Sequence, residues 1–450
     1  MSMSDMAGPM AGPVNARLAE AQGGDERVAR LRLARSENVG PRSFVHLLSR
    51  FGSGSRALDS LPRLAGRGGR DGYVACPADD AAREIERGEA AGGRLVMLGD
   101  PDYPERLAAI ASAPPVLWVR GDASRLAGRT VAIVGARNAS ALGLRQARRL
   151  GLGLARVGEV VVSGLARGVD AAAHEGALAA MAPEDATPPP SPAVAASEGA
   201  AALRGQNGAG KAPAAPPQDA WSTSAAAPMA SGEPGTTVAV LPGGIDVIYP
   251  PENAGLAERI VAAGGALISE CAPGTEPTSR HFPRRNRLIS GLADGVVLIE
   301  AALRSGSLIT ARTALEQGRE VMACPGAPED PRAGGCNALI REGAGLVRDQ
   351  GDVIETLGAL RRRGLAEEAD DFLFDIAFDD PLEALDFEAG EDDGTLVDQV
   401  LSLVGHAPVE TDEIARVCGA NPAQLALALL ELELAGRILM MPGGQVVTTG

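Results

Sequence analysis

The segment from residue 130 to residue 348 alternates short apolar runs with helix-like stretches, and this alternation most constrains the fold. Strands that alternate with helices favour a mostly parallel sheet covered by helices on both faces, an α/β architecture. A sheet of about seven strands has an ordinary size for such a fold. The predicted strands are 130–135, 159–164, 237–241, 266–270, 295–301, 320–325 and 345–348.

Small and basic residues follow several of these predicted strands. The first strand ends in Gly135-Ala136-Arg137, the second in a run from Ser163 to Arg167, and the third in Pro242-Gly-Gly. Ligands of open α/β sheets bind at the carboxyl ends of the strands, where these residues fall. The first strand has no Gly-x-Gly-x-x-Gly signature and the chain has no P-loop, so the sheet is Rossmann-like without the dinucleotide fingerprint.

A basic cluster with one aromatic residue, Phe282, precedes the fifth predicted strand. It has four arginines in eight residues: Arg280, Arg284, Arg285 and Arg287. Arginine forks match phosphate oxygens and keep their charge, and an aromatic ring can stack on a base. The alternatives are a solvated helix face for the arginines and a core anchor for Phe282. Arg285 and Arg287 are two residues apart and cannot share a helix face, so one of them is a candidate structural partner.

The formal charge of −16 argues against nucleic acid only until its distribution is considered. Residues 364–393 hold thirteen Asp and Glu and no Lys or Arg, so the remainder is close to balanced. Five scattered cysteines without a Cys-x-x-Cys predict neither a disulfide framework nor a zinc site. The chain shows neither a signal-peptide pattern nor an apolar run of transmembrane length, so we expect a cytoplasmic protein without a membrane partner.

Composition and pattern divide the chain into five parts. We predict a disordered tail (1–25), a small helical domain (26–93), the Rossmann-like domain (94–360) with a disordered insertion (183–235), an acidic linker (361–393) and a winged-helix domain (394–450). A Val-Gly-Pro turn at 39–41 indicates a helix-hairpin-helix in the helical domain, and a plain helical domain is the alternative.

The second helix of the predicted helix-turn-helix, residues 421–433, contains no lysine or arginine. Its polar residues include Asn421, Gln424, Glu431 and Glu433. A helix that reads bases in the major groove is expected to carry basic and amide donors. We therefore expect a protein-interaction or structural role for this last domain.

Several motifs in order resemble the DNA-processing protein A family (DprA/Smf). They are VGARNAS, SGLARGVDAAAH, TVAVLPGGIDVIYPPEN and the run from FPRRNRLISGLADGVVLIE to CPG, within residues 95–360. The resemblance implies an extended Rossmann fold that binds single-stranded DNA without cutting it, protects incoming DNA in natural transformation and loads the RecA recombinase. It also implies a homodimer formed through the Rossmann domain. The chain departs from the family at Ala136, usually serine, and at Ser279, a lysine in some members.

The predicted site has no catalytic residue, no metal and no cofactor. Its expected DNA-binding residues are Gly135, Ala136, Arg137, Ser163, Gly164, Arg167, Gly243, Gly244, Arg280, Phe282, Arg284, Arg285, Asn286, Arg287, Ser305, Gly306 and Ser307.

The alternative function is a Rossmann-fold nucleotide-processing enzyme similar to phosphoribohydrolases, which also carry Pro-Gly-Gly at a strand end. Their chemistry needs Pro-Gly-Gly-x-Gly-Thr-x-x-Glu, whereas Pro242-Gly-Gly runs here into Ile245-Asp246. Glu300 is the obvious carboxylate candidate at a strand end. Its other interpretation is a structural partner that orients the arginines of the cluster.

Overall fold

The structure is a computed structural model, and it describes residues 24–181, 235–364, 393–441 and 444–449. The predicted tail, insertion and acidic linker lie outside these ranges, apart from a few residues at their edges.

The first described domain is helical, and it contains the predicted hairpin. Gly40 and Pro41 begin the second helix, and Gly52 ends it in a left-handed conformation (φ 75°). The Ser53 hydroxyl then accepts a hydrogen bond from the backbone N–H of Arg56 and caps the third helix. The helices are α1 (Gly24–Arg35), α2 (Pro41–Phe51), α3 (Gly54–Arg67) and α4 (Ala78–Ala90).

Within the described residues, the central domain is built on a nine-stranded sheet, which contains all seven predicted strands. The prediction of about seven strands was too low, because two further strands pair antiparallel at one edge. The other seven strands are parallel. The strands are β1 (Arg94–Met97), β2 (Val116–Gly121), β3 (Thr130–Gly135), β4 (Val160–Ser163), β5 (Thr237–Val240), β6 (Ala266–Ser269), β7 (Gly295–Ile299), β8 (Glu320–Ala323) and β9 (Gly345–Leu346), in the order β1-β2-β6-β5-β4-β3-β7-β8-β9.

Helices cover both faces of this sheet, as the alternating pattern predicts. Val131 and Ile133 of β3 join the core on one face, and Ala132 and Val134 join the core on the other. Burial on both faces explains why these strands are apolar throughout rather than alternating. The helices are α5 (Glu105–Ala108), α6 (Ala141–Arg156), α7 (Val169–Ala179), α8 (Ala254–Ala262), α9 (His281–Gly291), α10 (Gly306–Glu316), α11 (Gly334–Arg341) and α12 (Gln350–Gly364).

The last domain is a winged helix, with a helix-turn-helix followed by a hairpin. Asn421 and Gln424 form a reciprocal capping box that begins the second helix of the motif. The elements are α13 (Asp393–Leu403), β10 (Val409–Glu410), α14 (Thr411–Cys418), α15 (Pro422–Leu434), β11 (Ile438–Met440) and β12 (Gln445–Thr448).

Within the described ranges, none of the helices has the length and apolar character needed to cross a membrane. The same ranges hold no group of three or more His, Cys, Asp and Glu residues that could bind a metal ion.

The predicted insertion falls between α7 and β5, which belong to one sheet domain. Gly235, its last residue, is itself buried, and its N–H donates to the carbonyl of Ala155 at 2.7 Å.

We predict that replacing residues 183–234 by a short Gly-Ser linker leaves the thermal midpoint and single-strand affinity nearly unchanged, because closure entropy varies slowly with loop length. Calorimetry and a binding titration check this; a large loss of stability would show that the segment packs on the sheet.

Candidate nucleic-acid interface

A cavity of about 330 Å³ lies where β3, β4 and β5 end. Three arginines and two aromatic rings line it, and its described lining contains no acidic residue. The lining residues are Arg137, Asn138, Ala166, Arg167, Tyr249, Pro250, Phe282 and Arg285. The structure therefore brings Arg137, Arg167, Phe282 and Arg285 together, as the sequence predicted.

The rim of the cavity is an aromatic and cationic stack. Phe282, at the start of α9, meets the ring of Tyr249 edge-to-face, with centroids 5.7 Å apart. The Arg137 guanidinium lies over the Phe282 ring, 4.8 Å from its centroid, in a cation–π contact. Phe282 is half-buried, and Arg137 and Tyr249 remain exposed. The ring therefore belongs to the cavity wall rather than to the hydrophobic core.

Arg285 forms the floor of the cavity and is only 5% exposed. Burial lowers its pKa to about 10, and the carboxylate of Asp170, 4.0 Å away, opposes that shift. Asp170 is held in turn by the backbone N–H groups of Gly164 (3.2 Å) and Ala166 (3.4 Å). A side chain on Gly164 would overlap the Arg285 guanidinium, so the glycine makes room for the buried cation.

A buried histidine lies behind this pair. His174 Nδ1 is 2.7 Å from the hydroxyl of Thr237, which donates to the carbonyl of Val161. Burial lowers the pKa of His174 to about 3, so the imidazole is neutral at physiological pH. The positive charge of the cavity is therefore supplied by its arginines.

The remaining arginines of the basic cluster divide into exposed and structural ones. Arg280 and Arg284 are exposed, and Arg284 reaches Glu270 only at 4.0 Å. Arg287 is largely buried and donates to Glu270 and to the carbonyl of Ser112. Both candidates for a structural partner therefore face a carboxylate: Arg287 binds Glu270, and Arg285 lies 4.0 Å from Asp170. Asn286 is half-buried on the same helix.

Arg167 lies on the open side of the cavity and pairs with Glu252. Its side chain is 67% exposed, so the pair is solvated and contributes little to stability. The hydrogen bond to Glu252 raises the pKa of Arg167. A phosphate that enters the cavity would compete with Glu252 for this guanidinium.

The predicted small residues lie at the same sheet edge, but outside the cavity lining, and several have structural hydrogen bonds. The Ser163 hydroxyl donates to the carbonyl of Ile133 at 2.6 Å. The Gly244 N–H donates to Thr275, and the Gly243 carbonyl accepts from Ser269. Ser305 caps α10 and contacts Ser307, and Gly306 between them is exposed to solvent. Gly135 and Ala136 connect the end of β3 to Arg137.

The structure corrects the interpretation of Glu300 as the residue that orients the arginines. Its carboxylate accepts hydrogen bonds from the backbone N–H of Ser140, at 2.7 Å, and from the Ser140 hydroxyl. It therefore lies at the N-terminus of α6, where the helix dipole favours a negative charge. Glu300 itself has a left-handed backbone (φ 51°), the turn that aims its side chain at that helix.

Sequence reasoning missed four lining residues: Asn138, Ala166, Tyr249 and Pro250. All four lie in stretches already singled out, beside Arg137, beside Arg167 or in the loop after β5. The signal for Tyr249 was an aromatic residue in a polar loop after a strand that ends at the binding edge. Its distance from Phe282 along the chain hid the contact between the two rings.

Fold and site together define the class of protein: a three-domain helix-hairpin-helix, Rossmann-like and winged-helix protein with an arginine-lined cavity at the sheet edge. The family DNA recombination-mediator protein A matches residues 94–185 and 223–358. The DprA-like N-terminal HHH domain matches residues 24–86, and the DprA winged helix domain matches residues 388–444. The chain belongs to the DNA-processing protein A (DprA/Smf) family.

Individual relatives agree with this assignment. Protein Smf of Escherichia coli is 34% identical over 352 residues, which cover 78% of this chain and 76% of the relative. DNA processing protein DprA of Bacillus subtilis is 35% identical over 267 residues, covering 59% and 72%. The X-ray structure of DprA from Streptococcus pneumoniae superposes with a TM-score of 0.53 at 28% identity, over 74% of this chain and 98% of that one.

Proposed function

We propose that this protein binds single-stranded DNA without cutting it, in the cavity and along the exposed arginines beside it. One observation carries the proposal: buried and exposed guanidinium groups converge with two aromatic rings in one open cavity. Guanidinium groups suit the phosphate backbone, and rings give unpaired bases a stacking surface. The proposed contacts are Arg137, Arg167, Arg280, Phe282, Arg284, Arg285 and Asn286, with the backbone at Gly135, Ala136, Gly164, Gly243, Gly244 and Ser305–Ser307 at the same edge.

The proposal extends to a role in natural transformation. Members of this family carry the name DNA processing protein, and a protein that covers incoming single strands would protect them and hand them to the RecA recombinase. The proposal includes a homodimer formed through the Rossmann-like domain and a cytoplasmic location, where such strands would be met.

The nucleotide-processing alternative lacks support at the cavity. Glu300, the carboxylate that it would use, is engaged by Ser140 at a helix N-terminus, and the described cavity lining contains no acidic residue. The carboxylates nearest the cavity face arginines: Glu252 pairs with Arg167, and Asp170 lies 4.0 Å from Arg285. Incubation with nucleoside monophosphates should therefore release no free base; measurable release by the purified chain would favour the enzyme.

Removing the cation at the rim tests the single-strand site. We predict that Arg137→Ala weakens single-strand binding and lowers the salt dependence by about one charge, because one phosphate contact is lost. Arg137 is exposed, so the thermal midpoint should stay close to that of the parent chain. Anisotropy titrations over a salt series measure both the affinity and the slope.

The matched control is Arg156→Ala. Arg156 is also exposed, but it ends α6 and therefore lies toward the opposite edge of the sheet. The Arg156→Ala substitution therefore removes the same formal charge as Arg137→Ala but leaves the cavity unchanged. Equal effects of the two substitutions would mean that only net charge matters, and the assignment of the cavity would fail.

A further inference from the structure

Helix α15, the second helix of the helix-turn-helix, lies between two hydrophobic cores. Leu425 and Leu432 pack in the core of the winged-helix domain. Leu430 and Leu434 pack instead with Phe44 in the core of the N-terminal helical domain. In DNA-binding helix-turn-helix domains the second helix enters the major groove. Here the corresponding helix, α15, packs instead against the N-terminal helical domain of the same chain.

The two domains approach each other at backbone distance. Gly68 follows α3, and a side chain there would overlap the backbone oxygen of Glu431 and lie 2.9 Å from the Cβ of Ala435. Gly68 has an ordinary right-handed conformation (φ −75°, ψ 0°), which any residue adopts. The glycine is therefore required for the space at the contact and not for its own backbone.

The polar part of this contact sets acidic groups against basic ones. Glu431 is 1% exposed and pairs with Arg67 at 3.3 Å. Glu433 accepts a hydrogen bond from the Ser43 hydroxyl in the first turn of α2. Arg42 donates to the carbonyl of Met441 at 3.3 Å.

Glu433 also supplies negative charge at the start of the hairpin helix. Gly40 precedes α2 and provides no side-chain cap. A Cβ on Gly40 would lie 3.8 Å from a carboxylate oxygen of Glu433, so the carboxylate sits beside this helix N-terminus. A helix N-terminus favours an anion at this position, whether carboxylate or phosphate.

We propose that this face of the helical domain, formed by Gly40, Arg42, Ser43 and Arg67, is a second nucleic-acid surface that takes the phosphate backbone of duplex DNA. Helix α15 covers it, and the carboxylates of Glu431 and Glu433 occupy the places of phosphates. Two guanidinium groups, a hydroxyl and a helix N-terminus are donors typical of backbone contacts. The face holds Phe44 fully buried and offers no other ring among these residues, so it suits a duplex backbone rather than unstacked bases.

Docking of α15 has a cost as well as a gain. Burial raises the pKa of Glu433, and the hydrogen bond from Ser43 only opposes that shift, so the carboxylate is desolvated in the contact. The gain is the packing of Leu430 and Leu434 with Phe44 and the pairing of Glu431 with Arg67. A duplex that takes this face must replace the carboxylates with phosphates and compete with that packing.

A single added methyl group tests the proposal. Gly68→Ala should prevent α15 from docking while both domains keep their folds, because only the contact with Glu431 and Ala435 is obstructed. Gly66→Ala, two residues earlier in the last turn of α3, is the matched control, where the new Cβ would meet only Asp71 at 4.0 Å. Both are made in full-length chains that also carry Arg137→Ala, so that loss of the single-strand site cannot be mistaken for the result.

We expect Gly68→Ala to raise the affinity for a short duplex about tenfold at low salt and to steepen its salt dependence by about two charges, since Arg42 and Arg67 lose the carboxylates that face them. Hydrogen exchange should show α15 and the start of α2 newly exposed. Adding Arg42→Ala should remove much of the gain. Gly66→Ala should behave as its parent does.

Three results would overturn the proposal: an opened Gly68→Ala chain with unchanged duplex affinity, an equal gain in Gly66→Ala, or no opening at all. Leu430→Glu provides a second way to open the contact if Gly68→Ala fails to fold, because Leu430 packs in the helical-domain core and not in that of the winged helix. A gain in both opened chains supports the covered surface.

Discussion

Arg285→Ala should destabilise the central domain by about 3–5 kcal/mol, because it leaves Asp170 as an uncompensated buried charge. Arg285 is 5% exposed and Asp170 is 7% exposed, so water cannot replace the lost partner without local opening. Chemical denaturation measures the loss in the free energy of unfolding. A loss below about 1 kcal/mol would mean that the pair is solvated in solution.

The pH dependence provides an internal check on the cause. Burial raises the pKa of Asp170, and Arg285 opposes the shift, so removing Arg285 should raise that pKa further. A carboxyl group whose folded-state pKa is raised destabilises the fold when ionised, and protonation relieves the cost as pH falls. The deficit of Arg285→Ala should therefore shrink as the pH falls through the raised pKa of Asp170 in the folded variant.

A double substitution separates lost charge from lost packing. Arg285→Met preserves most of the side-chain volume, and Asp170→Asn keeps an oxygen for the N–H groups of Gly164 and Ala166. The combined chain should recover more than half of the stability that Arg285→Met alone loses, because no charge remains buried. If the stability losses of Arg285→Met and Asp170→Asn simply add, the destabilisation comes from lost packing and not from a buried charge.

Phe282→Ala should weaken single-strand binding by about 1–3 kcal/mol, the usual contribution of one stacked base. The ring is half-buried at the cavity rim, so the thermal midpoint should change little compared with the affinity. Phe282→Tyr keeps the ring and should bind as the parent does. Lost stability with unchanged affinity would identify Phe282 as a packing anchor instead.

The contact between Arg137 and Phe282 couples their two substitutions. The guanidinium is 4.8 Å from the ring centroid, so Phe282→Ala also releases Arg137 from its position. The double variant should lose less affinity than the sum of the single losses, as expected for residues in direct contact. A strictly additive result would show that phosphate and base contacts form independently.

The sheet was predictable because its strands are buried on both faces. Runs such as Val131 to Val134 are apolar throughout, and turn residues mark their ends. The apolar run at 116–119 predicted a strand, β2, but not its place in the sheet, and the edge strand β1 was not predicted, since both pair antiparallel outside the strand–helix repeat. The order of the strands then placed Arg137, Arg167 and Arg285 in one cavity.

The uses of individual charged side chains were not predictable in the same way. Nothing in the local pattern distinguishes Arg285, beneath the cavity, from Arg287, which binds Glu270 and Ser112. Likewise, Leu430 and Leu434 fit the helical periodicity of a winged-helix core, although they pack against another domain. Periodicity shows that one face of a helix is buried, but only the tertiary fold shows which part of the protein packs against that face.

The contact between the first and last described domains also bears on how the chain is made. Ser43 and Glu433 are 390 positions apart, and Phe44 shares a core with Leu430 and Leu434. During synthesis the helical domain emerges first, and its apolar face must wait for α15 to be translated. Through most of elongation the helical domain therefore holds its own core residues but exposes the apolar face that Leu430 and Leu434 later cover, a surface of the kind that chaperones bind.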